Sequence, residues 1–550
     1  MKFFCVPFNE YIKQMQRRRL RQMMRGYRNL KNANRLDCIA NIKRDLTKKK
    51  LNINEKLYSK YFFGAGIESA ELVLRQYLLI RIGGTNFNKA LLLVAGKANT
   101  RVSFSMPSEW IDIIEKYGFK VNKLKTILMW RLYVLMLLMI GILNIFKVIM
   151  ASLNFLAKTK TRLDPYVYFA ELNNGNLPKT AKFQFEHTII SWYLQWDSRK
   201  PNIRTICHDV PNSFNKLLGD IELNDRTSPI PELTSFNKLI KYVGWGLLSI
   251  SIAFIDFFRW RWWHPLLLNQ SALSAQARLA SPNSLAKEYL FHNSNWIYRP
   301  LWTYDAEKLG ATITFYFYST NCESFRQGLG NSEITYGWGA MSWPRYLVWD
   351  EYQANFVRRC VGNQGEILIV GPIWFSNDSA QLSNIPHKSI AVFDVQPVRD
   401  SFYNLLALDF DYYTPTIANK FLMDIRDVLT EAECNMILKR KREIGKLCHP
   451  SYRGVLAKLS NCKNYIPIDP QVAAQEVIQN CFAVISIPFT STALLGKELK
   501  KPSIYYDPSG LLNKDDLAAH GIEILQGKGE LKCWLQSVMD QLSTTELAHV

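Results

Sequence analysis

An α/β fold with two doubly wound parallel sheets is what this 550-residue sequence predicts, and three observations carry the prediction. Short apolar runs such as Ala311–Tyr318 (ATITFYFY) and Glu366–Val370 (EILIV) have the character of strands buried on both faces. From Ser389 onward such runs alternate with helical segments. A polar stretch at 376–388 (SNDSAQLSNIPHK) separates the two halves.

In chain order the second half reads strand 390–395, helix 414–429, strand 435–441 and helix 450–459. Strand 465–468, helix 471–481, strand 483–488, helix 490–499 and strand 503–507 complete it. Four or five βα units in about 120 residues make a doubly wound sheet. Two such halves would face one another across a cleft. Segment boundaries are expected at 1–50, 51–380 and 389–550.

Lys+Arg 68 against Asp+Glu 47 leaves a net charge of +21. Residues 1–50 hold fifteen of the basic residues and three acids. Nucleic acid, an anionic membrane surface or an acidic polymer could answer such a segment. The ten cysteines stand singly, which suits a reducing compartment and neither a zinc module nor a disulfide framework. No apolar run of useful length follows Met1, so no secretory signal is expected.

Two hydrophobic stretches decide between those partners. Leu132–Phe146 is uncharged and resumes beyond Lys147, and Tyr242–Ile255 is uncharged and runs into Arg259-Trp-Arg-Trp-Trp263. A crossing helix needs about 20 apolar residues. Basic residues flank the first stretch on both sides, so no positive-inside asymmetry appears. Were both to cross, the α/β-like material of 158–241 would be exiled from the rest. Helices near 127–157 and 240–263 are therefore expected to lie in a membrane interface. Buried core helices and a two-pass hairpin are the alternatives. Nucleic acid leaves both stretches unexplained and is not expected as a partner.

GxxxxGK[ST], GxGxxG, HExxH and GxSxG are all missing, which disfavours ATP-driven, NAD-linked, zincin and α/β-hydrolase chemistry. Asp409-Phe-Asp411 reads as a turn before a helix rather than a metal motif. The informative pair of motifs is elsewhere. Pro488, Phe489, Thr490, Ser491 and Thr492 form a strand-to-helix turn, where backbone N–H groups and the helix dipole favour an anion. His449-Pro450 lies at another such turn, behind Lys439-Arg-Lys441-Arg442. Both would open at the carboxyl edge of one sheet, where open α/β sheets bind ligands. Simple helix capping is the competing role for each.

The segment 484–510 (VISIPFTSTALLGKELKKPSIYYDPSG) resembles the signature of the polysaccharide-biosynthesis PFTS-motif proteins, and 298–304, 315–321 and 343–350 extend the likeness over about 290–510. The paired turns are similar to those of bacterial sialyltransferase and Kdo-transferase families of GT-B architecture. That resemblance implies a GT-B-like fold and a metal-independent glycosyltransferase with no cofactor beyond its nucleotide-sugar substrate. It implies a donor domain at 389–550 and an acceptor side at 51–380. His449 would contact or protonate the leaving phosphate of a CMP-activated acidic sugar, with Pro450 fixing its turn. Pro488 and Phe489 would shape the second turn, Thr490, Ser491 and Thr492 would hydrogen-bond the phosphate, and Lys441 or Arg442 would add positive charge.

Those families take their base from an Asp/Glu–Asp/Glu–Gly tripeptide, which this sequence lacks. Asp305 and Glu307 are the substitutes expected to deprotonate an acceptor, with Glu171 and Glu323 behind them. The acceptor is expected to be a glycan or a lipid-linked glycan of a surface polysaccharide of O-antigen, capsule or lipopolysaccharide type. The chain is expected at the cytoplasmic face of a bacterial inner membrane. A UDP- or GDP-sugar donor, or a non-catalytic scaffold of a glycan-assembly complex, is the alternative.

Overall fold

The structure is a computed structural model that describes residues 5–548 apart from 36, 50–61, 65, 158–164, 173–175, 179–187, 197–202, 211–215, 219, 227, 294–298, 321–337, 374–381, 383, 398–411 and 446–447. Asp409, Asp411, Glu323 and most of the 376–388 stretch lie outside the described residues.

The chain first builds a helical unit. Helix Cys5–Asn32 carries the basic run and packs on helix Thr85–Ala95. Their backbones touch, so that a Cβ on Gly26 would collide with the Leu92 carbonyl and one on Gly96 with the Gln22 carbonyl. Only residues without a Cβ permit that approach. The basic helix is thus a packed member of this unit.

Both hydrophobic stretches are helices, Lys123–Ala157 and Phe236–Phe258, and each is long and apolar enough to cross a membrane. Together with helix Trp263–Leu279 they share a core that includes Leu138, Ile145, Trp245, Leu267 and Leu268. The Phe236–Leu279 hairpin falls in sequence between strands of the first sheet, yet its core partners come from residues before that sheet begins. Along the longest helix Thr126, Trp130, Val134, Leu138, Gly141, Ile145 and Ser152 form one buried stripe at helical spacing. On the opposite face Leu124, Leu128, Leu132, Met136, Met139, Leu143, Phe146 and Met150 are exposed.

The first sheet comprises β1 (Tyr166–Phe169), β2 (Thr205–His208), β3 (Lys216–Leu218), β4 (Ile221–Asp225), β5 (Glu288–His292), β6 (Thr312–Tyr316), β7 (Arg345–Val348) and β8 (Glu366–Ile369). Its order is β3-β4-β2-β1-β5-β6-β7-β8, parallel except for the β3–β4 pair. The second comprises β9 (Ser389–Phe393), β10 (Asn435–Lys439), β11 (Tyr465–Ile468), β12 (Ala483–Ser486), β13 (Ser503–Asp507) and β14 (Glu523–Gln526), ordered β11-β10-β9-β12-β13-β14. Every pairing in the second sheet is parallel. β1, β5, β9 and β12 are buried at every position, as strands covered by helices on both faces must be. The second sheet has the doubly wound 3-2-1-4-5-6 order and the first has it over β4-β2-β1-β5-β6-β7, with β3 and β8 added at its edges; the order reverses between β9 and β12 and between β1 and β5. This is the GT-B-like, two-domain α/β fold that the sequence implies.

The two domains meet where Asp350, at the carboxyl end of β7, accepts from His520 Nδ1 at 2.7 Å across 170 residues of chain. The strand expected over 435–441 ends at Lys439, because the charged residues that follow leave the buried sheet.

Helix Ser491–Glu498 lies tight on the second sheet. A Cβ at Gly496 would collide with Ser503 Oγ and stand 2.8 Å from Val484 Cγ2. Gly496→Ala should lower the stability of this domain by about 1–3 kcal/mol. A urea midpoint equal to that of the parent chain would refute the close packing.

Candidate functional site

Strand register brings the two sequence motifs to one edge. Phe393, the last residue of β9, pairs with Lys439 on one side and Ser486 on the other. The turns after β10, β9 and β12 therefore leave the sheet level with one another, at the β9/β12 reversal where an open α/β sheet leaves a crevice.

The Pro488–Thr492 turn is held in an unusual shape. Phe489 is buried yet left-handed, with φ +64°, which costs a non-glycine residue on the order of 1 kcal/mol or more. Tyr413 OH donates to the Pro488 carbonyl at 2.8 Å and Tyr505 OH to the Thr490 carbonyl at 2.7 Å. Thr490 occupies the cap position of helix Ser491–Glu498 but does not cap it. Its hydroxyl instead donates back to the Ile487 carbonyl at 2.9 Å and lies 3.2 Å from Thr492 Oγ1, which in turn meets Ser486 Oγ at 2.9 Å. The N–H groups of the first helical turn consequently keep no side-chain partner from this cap, the arrangement that receives an anion.

His449 caps helix Pro450–Leu459: its Nδ1 accepts the Ser451 N–H at 3.3 Å and lies 2.7 Å from Ser451 Oγ. Asn419 Nδ2 donates to the same hydroxyl at 2.8 Å. With Nδ1 occupied as an acceptor, the ring proton resides on Nε2. The His449 N–H donates to the Pro397 carbonyl at 3.0 Å, which ties this turn to the loop that leaves β9. Capping and a ligand role are thus compatible, because they use opposite ring nitrogens. Pro450 stands at the first helical position, where its missing N–H costs nothing. Lys441 and Arg442 lie on the exposed turn after β10.

The residue after β9 was not singled out by sequence. Asp394 is buried and accepts from Tyr452, and burial pushes its carboxyl up to about 6 against the pull of that hydrogen bond and of Arg440. Its Oδ1, Gln396 Nε2 and Arg440 Nη1 are all buried without a hydrogen-bond partner among the described residues.

Residues 247–535 match the family described as polysaccharide biosynthesis PFTS motif protein. The chain belongs to that family. The match begins inside helix Phe236–Phe258 and takes in the whole second sheet of this PFTS motif protein. No curated protein matches it. Solved structures with a similar outline include the wall teichoic acid polymerase TagF, at 14% identity over 69% of this chain and 80% of that one with a TM-score of 0.34. The kitacinnamycin glycosyltransferase has 13% identity, 71% and 94% coverage and a TM-score of 0.35. UDP-GlcNAc 2-epimerase from Methanocaldococcus jannaschii has 9%, 68% and 92%, and 0.34.

In this PFTS motif protein the two carboxylates expected as bases are not brought together. Both lie on helix Leu301–Lys308, but two residues apart on a helix is about 200° of rotation. Asp305 is buried against helix Trp263–Leu279, where Ser274 Oγ donates to it and Arg278 lies 3.6 Å away. Burial raises its carboxyl above the ordinary range, and its partners are structural. Glu307 pairs with Arg299, a buried guanidinium that also bonds Thr303 and covers the Tyr304 ring at 3.8 Å. Asp305 joins the helical unit to the first sheet, and Glu307 braces its own helix.

The polar groups at the β1/β5 reversal are different ones. Glu171, His292 and Asp209 converge there, and Glu171 is left-handed with φ +57°. Asp209 and His292 have no motif around them. Their one sequence signal is that each polar residue stands at or just beyond the last residue of a buried apolar strand.

Proposed function

We propose that this PFTS motif protein transfers a sugar from a nucleotide donor, in the first place a CMP-activated acidic sugar, to a glycan or lipid-linked acceptor of a surface polysaccharide. One observation supports it most: a strained, uncapped helix N-terminus at Pro488–Thr492, level with the Nε2-protonated His449 at the β9/β12 reversal. The departing phosphate would gain negative charge as the sugar leaves. Helical N–H groups, the Ser491 and Thr492 hydroxyls and the His449 Nε2–H would stabilise that charge more in the transition state than in the bound donor, while the Thr490 hydroxyl, already given to the Ile487 carbonyl, would shape the turn. Lys441 and Arg442 would add positive potential from the neighbouring turn.

The exposed apolar face of helix Lys123–Ala157 supports work at a membrane surface, and its buried stripe argues for an in-plane position. That stripe packs on helix Trp263–Leu279 through its middle, with Gly141 against Leu268 and Asn144 bonded to Asn269. The supporting helix carries Gln270, Ser271, Ser274, Gln276 and Arg278 and is fastened to the first sheet domain through Asp305. A crossing helix would draw those polar groups into hydrocarbon, where each unsatisfied group costs several kcal/mol. Lying flat, the helix buries only its apolar side. Arg131 covers the Phe257 and Trp260 rings at 4.0 and 4.3 Å, and so places cation and aromatic at the end of the hairpin where headgroups would lie. A bacterial inner membrane, approached from the cytoplasmic side, is the surface this reading names.

The donor is tested by thermal shift of the detergent-solubilised chain with CMP, UDP and GDP in EDTA. CMP alone is expected to raise the melting temperature, and Ser491→Ala/Thr492→Ala to abolish that rise. A shift with UDP or GDP instead would replace the donor. No shift with any of them would overturn the enzyme reading in favour of a scaffold.

A further inference from the structure

Sugar transfer needs a group for the acceptor proton as well as one for the leaving phosphate. We propose that Glu171 is the group that takes the acceptor proton, at a second site built on the β1/β5 reversal of the first sheet, with Asp209 and His292 as its positioning residues. This inference rests on the glycosyltransferase reading.

Its basis is the way the chain holds Glu171. β1 ends at Phe169, which pairs with His208 of β2 and Leu290 of β5, so the residues beyond these ends share one edge. Glu171 stands two residues past the strand with φ +57°, a conformation a residue with a side chain adopts at a cost. Three hydrogen bonds from two other strand ends enforce it. Asp209 Oδ2 accepts the Glu171 N–H at 2.7 Å and its Oδ1 accepts the Leu172 N–H at 3.2 Å. His292 Nε2 donates to the Glu171 carbonyl at 3.2 Å.

His292 is itself set between the Tyr316 and Tyr318 rings at 5.6 and 5.7 Å, and burial lowers its tendency to take a second proton. Asp209 is spent on backbone groups, through residues 38 positions away. Two titratable side chains thus fix the backbone of a third, half-buried one at the place where a doubly wound sheet opens its ligand crevice. A backbone held this way gives the Glu171 side chain a fixed root, which the narrow tolerance of proton transfer requires.

The step balances without a co-reactant. An acceptor hydroxyl gives its proton to the Glu171 carboxylate as its oxygen bonds to the anomeric carbon. The carbon–oxygen bond to the donor phosphate breaks, and its electron pair leaves with the nucleotide.

The test uses the full chain and three donors: CMP-N-acetylneuraminate, UDP-N-acetylglucosamine and GDP-mannose, with octyl glycosides and water as acceptors. Glu171→Gly keeps the left-handed turn without strain and is expected to retain the nucleotide-induced thermal shift while turnover falls at least 100-fold. Added formate should restore part of that turnover in Glu171→Gly and none in Glu171→Gln. Asp209→Asn is expected to lower kcat while leaving the donor KM within twofold. Turnover of Glu171→Gly within threefold of the parent, or loss of its nucleotide-induced shift, would overturn the assignment. If the parent chain binds no nucleotide and turns over none of the donors, the glycosyltransferase reading falls, and this assignment with it.

Discussion

His449→Ala should slow sugar transfer by about 10²–10³-fold, the loss typical when a positioned proton donor is removed. On the proposed mechanism the effect belongs to kcat, because the Nε2–H would meet charge that develops only as the phosphate departs. Folding should survive: the lost cap costs about 1 kcal/mol, while Pro450 and the buried Tyr452 and Leu459 still hold the helix in place. His449→Asn separates the roles, since its side-chain oxygen can still cap the helix but brings no ring proton. It should restore the melting temperature and leave transfer low. Transfer equal to that of the parent in either variant, measured in single turnover with saturating donor, would remove His449 from the mechanism.

The second large effect concerns the exposed apolar face of the long helix, on the proposal that it meets a membrane. Leu132→Asp/Leu143→Asp/Met150→Asp changes only residues exposed on the free side of helix Lys123–Ala157. Burying one leucine-sized side chain contributes about 1.5–3 kcal/mol, so the triple variant should bind phosphatidylglycerol-containing vesicles at least tenfold more weakly. Its melting temperature without lipid should stay unchanged. Alkaline carbonate should release the parent chain from membranes, as it does proteins that lie in the interface. Resistance to carbonate would favour a crossing helix, and loss of a dimer in the triple variant would assign the face to a second copy. The basic helix Cys5–Asn32 adds an electrostatic part of about 1 kcal/mol for each basic residue near the surface, so raised salt should weaken vesicle binding further.

Much of the second domain was legible in the sequence because its signals are local. A parallel strand buried on both faces must be apolar throughout, and SIAVF, NMILK, AVIS and SIYYD are close to that. Thr414 and Pro415, or His449 and Pro450, mark helix starts by chemistry that acts within three residues. The Pro488–Thr492 turn was readable for the same reason. Its left-handed Phe489 was not, since two tyrosines from 75 positions earlier and 15 positions later help to hold the flanking carbonyls.

Asp305 and Glu307 show where local reading stops. Acids near the end of a short helix look alike in sequence whether they face a crevice, a serine or an arginine. Ser274 and Arg278 reach Asp305 from a helix about 30 positions earlier, and that contact decides it. Asp394 is hidden from local reading for a related reason: it is buried only in the assembled sheet, and its bond comes from Tyr452 on a helix 58 positions later.

By itself the sequence determined the strand and helix periods, the two strand-to-helix turns at 449–450 and 488–492, the two apolar helices and the family. Tertiary structure decided which face of the long helix is free, that the basic segment packs inside a helical unit, and that Glu171 rather than Asp305 stands at a sheet reversal. The division follows from range: periodicity and capping act over a few residues along the chain. Burial, ion pairing and the clamp on Glu171 arise only when segments 38 to 121 positions apart are packed together.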